Sequence, residues 1–147
     1  MDKKSYLSGY ADGEGCFCVA FNKSKRHKFG RDIRPSFSVS QNSDKAQVLE
    51  LSKRYFKCWT IRPDRSDKSL KYEIRSVSDL VNRIIPHFEK YPLLSEKRKD
   101  FKIFSEICRK MYRKKHLGRG GFKKIVNMTF TLNSSGRKRF PRAKIKI

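Results

Sequence analysis

The sequence predicts one α+β domain spanning residues 1–147. Two stretches with helical spacing of apolar residues each precede a pair of alternating, strand-like stretches, and helical stripes fill most of the remainder. Eleven Phe and six Tyr in a chain that is 37% hydrophobic supply enough apolar area for a core, and the length leaves little room for a second one.

The first helix is predicted from Asp2 to Glu14, where Tyr6, Leu7, Tyr10 and Ala11 recur at helical spacing and Gly15 suits a left-handed stop. Alternation then predicts strands over Cys16 to Ser24, with Phe17, Val19 and Phe21 inward, and over Arg34 to Gln41, with Phe37 and Val39 inward. The basic segment from Lys25 to Arg31 reads as the tip joining them. Asp44 to Phe56 is predicted to be helical, followed by a hairpin of Cys58 to Pro63 and Leu70 to Ser76 around a polar turn. Val77 to Tyr91 reads as a helix interrupted or bent at Pro86, and Ser95 to Lys115 as a longer one striped by Phe101, Phe104, Ile107, Cys108 and Met111. Gly118 to Gly121 is expected to break that run before a last helix over Phe122 to Asn133 and a basic tail, 137–147.

Charge points to the partner. Lys and Arg number 37 against 14 Asp and Glu, a net charge of +23, and no carboxylate follows Glu106. A polyanion is implied. Composition alone favours a ribosomal or histone-like protein that neutralises phosphate without chemistry, so a local feature has to decide. No run approaches the ~20 apolar residues of a membrane helix, and the four cysteines form no paired CxxC motif of the kind that holds zinc. Reduced, buried thiols fit the cytoplasm (a bacterial nucleoid) or an organellar matrix rather than secretion.

The local feature is Leu7-Ser8-Gly9-Tyr10-Ala11-Asp12-Gly13-Glu14-Gly15. Gly9 and Gly13 each cost about 1 kcal/mol in a helix relative to Ala, which close helix–helix packing would offset. A short self-complementary face of this kind suits twofold pairing with an identical helix. Glu14 sits at the negative end of the helix dipole, which is unfavourable for a carboxylate unless a cation is bound. Pairing would bring two Glu14 side chains together, and carboxylates with main-chain carbonyls make a hard oxygen site suited to Mg²⁺ beside a phosphodiester. On spacing alone, a loop with two solvated acids remains an equal alternative.

These nine residues resemble the motif of the LAGLIDADG homing endonuclease family, with Ser at one Ala position and Glu as the final acid. The Phe37-Ser38-Val39-Ser40-Gln41 segment and the run from Tyr91 to Phe101 are also similar to family signatures. The tail through Gly136 to Arg139 looks like that of single-motif enzymes encoded in introns. The resemblance implies an αββαββα fold with a four-stranded antiparallel DNA-binding sheet and extra C-terminal helices. It also implies a homodimer, because one motif supplies half of a shared active site. Glu14 would then be catalytic and the metal ligand, with the Gly13 carbonyl assisting. Mg²⁺ is the implied ion; Mn²⁺ or Ca²⁺ can occupy the same sites, Ca²⁺ without cleavage. Gln41 would position solvent, and Lys45 would belong to the same water network. Lys97 would stabilise developing charge, with Arg98 and Lys99 as alternative registers. Leu7, Gly9, Tyr10, Asp12 and Gly13 would lie at the dimer interface, Asp12 capping or bracing the helix pair. No small-molecule cofactor and no membrane are implied.

Alternation also predicts which strand residues face away from the core: Asn22, Ser24, Arg26, Arg34, Ser36, Ser38, Ser40, Thr60, Arg62, Lys71, Glu73 and Arg75. Such a polar face can lie along the major groove of double-stranded DNA, where Arg reads guanine and Asn or Gln reads adenine. Lys28 and Arg31 in the hairpin tip, and Arg137, Lys138 and Arg139 in the tail, would add phosphate contacts. The enzyme expected is a homing endonuclease cutting both strands of a long, pseudo-palindromic site and promoting intron mobility. The alternative is a non-catalytic RNA-binding splicing factor, a maturase, on the same fold. Retention of Glu14 favours the enzyme.

Overall fold

A computed structural model describes residues 1–64 and 68–132. The expected phosphate contacts of Arg137, Lys138 and Arg139 lie outside the described residues. Helix α1 (Lys3–Glu14) starts where the Asp2 carboxylate accepts from the main-chain N–H groups of Lys4 (3.1 Å) and Ser5 (3.2 Å), satisfying donors that a helix start leaves free. It stops at Gly15, but not by a left-handed turn. Gly15 is extended (φ −76°, ψ 157°), and a Cβ there would sit 2.6 Å from the Ala11 carbonyl oxygen. Only glycine lets the strand leave so close to the helix.

Strands β1 (Gly15–Lys23) and β2 (Arg31–Asn42) pair antiparallel, with Phe17 opposite Phe37, Val19 opposite Pro35 and Phe21 opposite Ile33. β2 begins three residues earlier than expected, because the turn closes tightly through a hydrogen bond from the Ser24 N–H to the Gly30 carbonyl. Pro35 is tolerated in this inner strand because pairing to the next strand runs only from Phe37 to Asn42. A 3₁₀ turn (Ser43–Lys45) leads into α2 (Gln47–Phe56), which buries Val48, Leu49, Ser52 and Phe56.

The second hairpin is shorter than its alternation suggests. Lys57 (φ 56°) and Trp59 (φ 61°) are left-handed, a conformation the pleated strand excludes. β3 is therefore only Ile61–Pro63, and β4 is Ser69–Ile74. β4 ends before Ser76 because that hydroxyl caps the next helix, accepting from the Asp79 N–H. The sheet order is β1-β2-β4-β3, antiparallel throughout.

Helices α3 (Val77–Asp79) and α4 (Ile85–Lys90) are joined by a π-helical turn, Leu80–Ile84. Pro86 explains the widened turn: it has no N–H to donate and its ring crowds the carbonyl one turn back. α5 (Lys97–Tyr112) lays the predicted apolar stripe against the sheet. α6 (Arg119–Thr129) starts inside the glycine run, not after it. A Cβ on Gly121 would lie 1.7 Å from the Lys115 carbonyl oxygen, so the glycines allow a close approach between the helix start and the preceding 3₁₀ turn.

The inner face of the sheet and the helices enclose the core. Phe17 stands at its centre, with ring centroids 5.1 Å from Phe37, 5.6 Å from Phe88, 5.4 Å from Phe101 and 5.2 Å from Phe104. The expectation of buried thiols holds for Cys108 alone: Cys16 is exposed and Cys18 and Cys58 are half-buried, all four unbridged.

A buried polar chain ties α1 to the helices behind it. Ser8 Oγ donates to the Tyr91 carbonyl (2.6 Å) and lies 3.0 Å from His87 Nε2, while His87 Nδ1 lies 3.0 Å from the Tyr55 hydroxyl. Because the Ser8 proton is committed to Tyr91, His87 donates from Nε2 and accepts at Nδ1. Burial, helped by the Lys4 ammonium, pushes the His87 pKa down from 6.5 to about 4. The unfolded chain therefore binds the extra proton between these values, and stability falls as pH drops through that window. The wild type is expected to lose about 3 kcal/mol more than His87→Gln between pH 7 and pH 4, as read from urea midpoints.

Candidate functional site

The end of α1, the start of β1, the end of β2 and the start of α5 meet at Glu14. Glu14 itself is exposed. Lys97 reaches back from the first residue of α5, its Nζ donating to the Gly15 carbonyl (2.6 Å) and the Ala11 carbonyl (3.2 Å). A cation on the carbonyl end of a helix compensates its negative pole, so one ammonium is fixed beside the terminal acid. Of the alternative registers, Lys99 instead pairs with Glu96 at 2.8 Å, and Arg98 is exposed.

Asp12 sets the position of Lys97. Its carboxylate accepts from the main-chain N–H groups of Leu94 (3.0 Å) and Ser95 (3.0 Å) and from the Ser95 hydroxyl. The Ser95 oxygen accepts in turn from the Lys97 N–H (3.2 Å). Desolvation works to raise the Asp12 pKa, but the bonds from Ser95 and Leu94 and the nearby Lys97 hold it below the ordinary aspartate value. Within its own chain Asp12 thus braces α1 against a loop 82 residues away.

Gln41 is fixed from the other side. Its Nε2 donates to the Tyr10 hydroxyl (2.8 Å), which donates to the Ser40 carbonyl (3.2 Å), and its Oε1 accepts from the Asn42 N–H (2.8 Å). Burial raises the Tyr10 pKa and the Glu14 carboxylate raises it further, against the Gln41 bond, so the phenol stays neutral. Lys45 lies on the exposed 3₁₀ turn after β2 and, among the described residues, makes no hydrogen bond or ion pair with this group.

The residues expected at a helix–helix interface divide by face. Leu7 is 4% exposed and belongs to the chain's own core, and Tyr10 is half-buried against β2. Gly9 and Gly13 are exposed, and a Cβ on either would meet nothing within 4 Å. Packing within one chain therefore gives no reason for two glycines in this helix. Tyr6, 42% exposed, lies on the same helix. Among the described residues no three His, Cys, Asp or Glu side chains gather to hold a metal ion. The end of α1 offers one carboxylate, Glu14, and main-chain carbonyls.

The outward sheet face carries most of the residues expected there. In register across it stand Asn22 and Asp32, Cys18 and Ser36, then Cys16, Ser38 and Glu73, and finally Ser40, Lys71 and Arg62. Arg34 pairs with Asp32 at 2.6 Å. Arg75 follows directly after β4, and Ser24, Arg26 and Lys28 sit in the hairpin turn. Three placements differ. Thr60 lies outside any strand because of the left-handed Trp59 before it. Arg31, expected in the hairpin tip, is the first residue of β2, opposite Lys23. Ser38 is only 6% exposed, between Cys16 and Glu73. Cys16, Cys18 and Ala20 share the outward parity that alternation about Phe17, Val19 and Phe21 gives, and Asp32 joins them because β2 starts before Arg34.

Comparison with known proteins gives this arrangement a context. The LAGLIDADG endonuclease family profile matches residues 7–108. The probable intron-encoded endonuclease 2 of Neurospora crassa is 33% identical over 130 residues, 88% of this chain and 29% of that protein. The chain spans about a quarter to a half of the length of the first curated relatives it matches. The crystal structure of the homing endonuclease I-TnaI superimposes with a TM-score of 0.84 at 32% identity, covering 90% of this chain and 89% of that one. The I-LtrWI LAGLIDADG homing endonuclease bound to target DNA superimposes at 0.87 with 35% identity, covering 93% of this chain and 46% of the other. The α+β fold with its four-stranded antiparallel sheet is the one these structures share, and the chain belongs to the LAGLIDADG endonuclease family.

Proposed function

We propose that residues 1–147 act as one domain and that two copies pair through α1 to form a DNA endonuclease. The dimer cleaves both strands of a long, pseudo-palindromic site by divalent-metal-dependent hydrolysis. One observation carries this reading. Glu14 stands exposed at the end of a helix whose Gly9 and Gly13 are open to a second backbone, with Lys97 and Gln41 held at the same end by the chain's own bonds. The I-LtrWI structure, with about twice the length aligned here, is described as bound to target DNA, which supports double-stranded DNA as the partner.

The donor set fits a hard divalent ion but is incomplete in one chain. Glu14 supplies a carboxylate and Gly13 a carbonyl, and a second copy would supply the same pair across the twofold axis. When bound there, Mg²⁺ supplies Lewis-acid polarisation of the scissile phosphate and a more acidic water. The protein does the rest. Lys97, anchored to the α1 carbonyls, places positive charge where the phosphorane-like charge grows. Gln41, its amide orientation set by Tyr10 and Asn42, keeps a second Nε2 hydrogen and an Oε1 lone pair to orient solvent. The outward sheet face reads bases, and the hairpin-tip cations add phosphate contacts.

Relatives described as intron-encoded support a role in intron mobility and a location in an organellar matrix or nucleoid. Among the described residues no helix is long and apolar enough to cross a membrane. The test is incubation with a library of intron-insertion-site duplexes and Mg²⁺. The expected result is a cut at one site on both strands, lost on chelation. Tight binding of structured RNA with no duplex cut would support a splicing factor instead.

A further inference from the structure

The most crowded electrostatic feature outside the Glu14 site lies on the outward sheet face. Glu73 Oε1 accepts from Arg62 Nη2 at 2.9 Å and from Arg75 Nε at 2.6 Å, and Glu73 Oε2 lies 3.8 Å from Lys71 Nζ. The Glu73 side chain is 11% exposed, while those of Arg62 and Arg75 are 42% and 50% exposed. The carboxylate is thus seated beneath the cations it gathers. Desolvation works to raise its pKa, but Arg62, Arg75 and Lys71 hold it below the ordinary glutamate value, so it remains charged.

We infer that Glu73 is a positioning residue for sequence recognition: its carboxylate holds Arg62, Arg75 and Lys71 in fixed directions, so that they meet base edges instead of the nearest phosphates. This rests on the reading of the sheet as the DNA-binding face. A carboxylate on a surface that meets a polyanion is otherwise unfavourable. Each guanidinium uses one N–H on Glu73 and keeps a further pair of donors, the fork that matches guanine O6 and N7. Free arginines on a half-exposed strand would sweep a wide arc and be captured by phosphate oxygens, which hold charge but carry no sequence information. Glu73 lowers the net charge of the face and removes that freedom together.

The experiment compares wild type with Glu73→Gln, each binding a duplex selected from a random library by the wild type and an unrelated duplex of equal length, over a range of salt. Glu73→Gln is expected to bind the unrelated duplex more tightly. Its plot of log K against log salt should steepen by about one to two phosphate contacts. Its preference for the selected duplex should fall about tenfold or more. Glu73→Asp keeps the charge and is expected to keep the salt slope while losing part of the preference, which separates lost charge from lost fold. If the wild type discriminates and both slope and preference are unchanged in Glu73→Gln, even with a lowered melting temperature, the inference is overturned alone. If the wild type shows no preference, the DNA reading of the sheet is overturned and the inference with it.

Discussion

Replacement of Glu14 by Gln is expected to lower the cleavage rate by at least about 10³-fold while leaving DNA affinity within a few-fold of wild type. The change keeps the size of the side chain and removes its charge. Glu14 is exposed and, among the described residues, makes no hydrogen bond or ion pair, so its loss should leave the fold intact. The helix end it occupies is negative, and Lys97 already compensates that pole through Ala11 and Gly15. The Lys97 ammonium beside it offsets the repulsion between the carboxylate and the helix pole, so removing the charge should change the stability of α1 little. Loss of cutting with nearly unchanged thermal stability is therefore the combined signature. Equal loss of affinity and cutting would instead assign Glu14 to DNA binding.

Phe17→Ala is expected to cost about 3–5 kcal/mol of stability, the range for a large aromatic removed from a core that cannot close around the space. Phe17 is 1% exposed and touches four other aromatic rings, from β2, α4 and α5. It lies three residues after Glu14, on the strand whose inner face seats α5. The same substitution should therefore loosen the placement of Lys97 against α1. A urea denaturation midpoint falling at unchanged slope reads the stability loss.

Much of this fold was legible because its periods are strong. Phe17, Val19 and Phe21 against Phe37 and Val39 fix the inner sheet face, and Phe101, Phe104, Cys108 and Met111 fix the buried face of α5. Glu14 and its two glycines stood out because each is unfavourable in an ordinary helix. What sequence spacing missed depends on partners far apart in the chain. Asp12 bonds to Leu94 and Ser95, and Ser8 to His87 and Tyr91. No local pattern reports such pairs. Local backbone geometry was the other gap. Lys57 and Trp59 adopt left-handed conformations that non-glycine residues rarely take, and this moves Thr60 off the sheet. Glu73 read as one more polar residue because its three cationic partners come from two strands and the segment after them.

The central claim is that cutting needs the acids of two copies. Wild type and Glu14→Gln, co-expressed in varied proportions so that they form mixed dimers, test it directly on a supercoiled plasmid carrying the selected site. Double-strand cutting is expected to follow the square of the wild-type fraction, falling to about a quarter at equal amounts. Cutting in simple proportion to the wild-type fraction would show that one chain holds a complete site and would contradict the account.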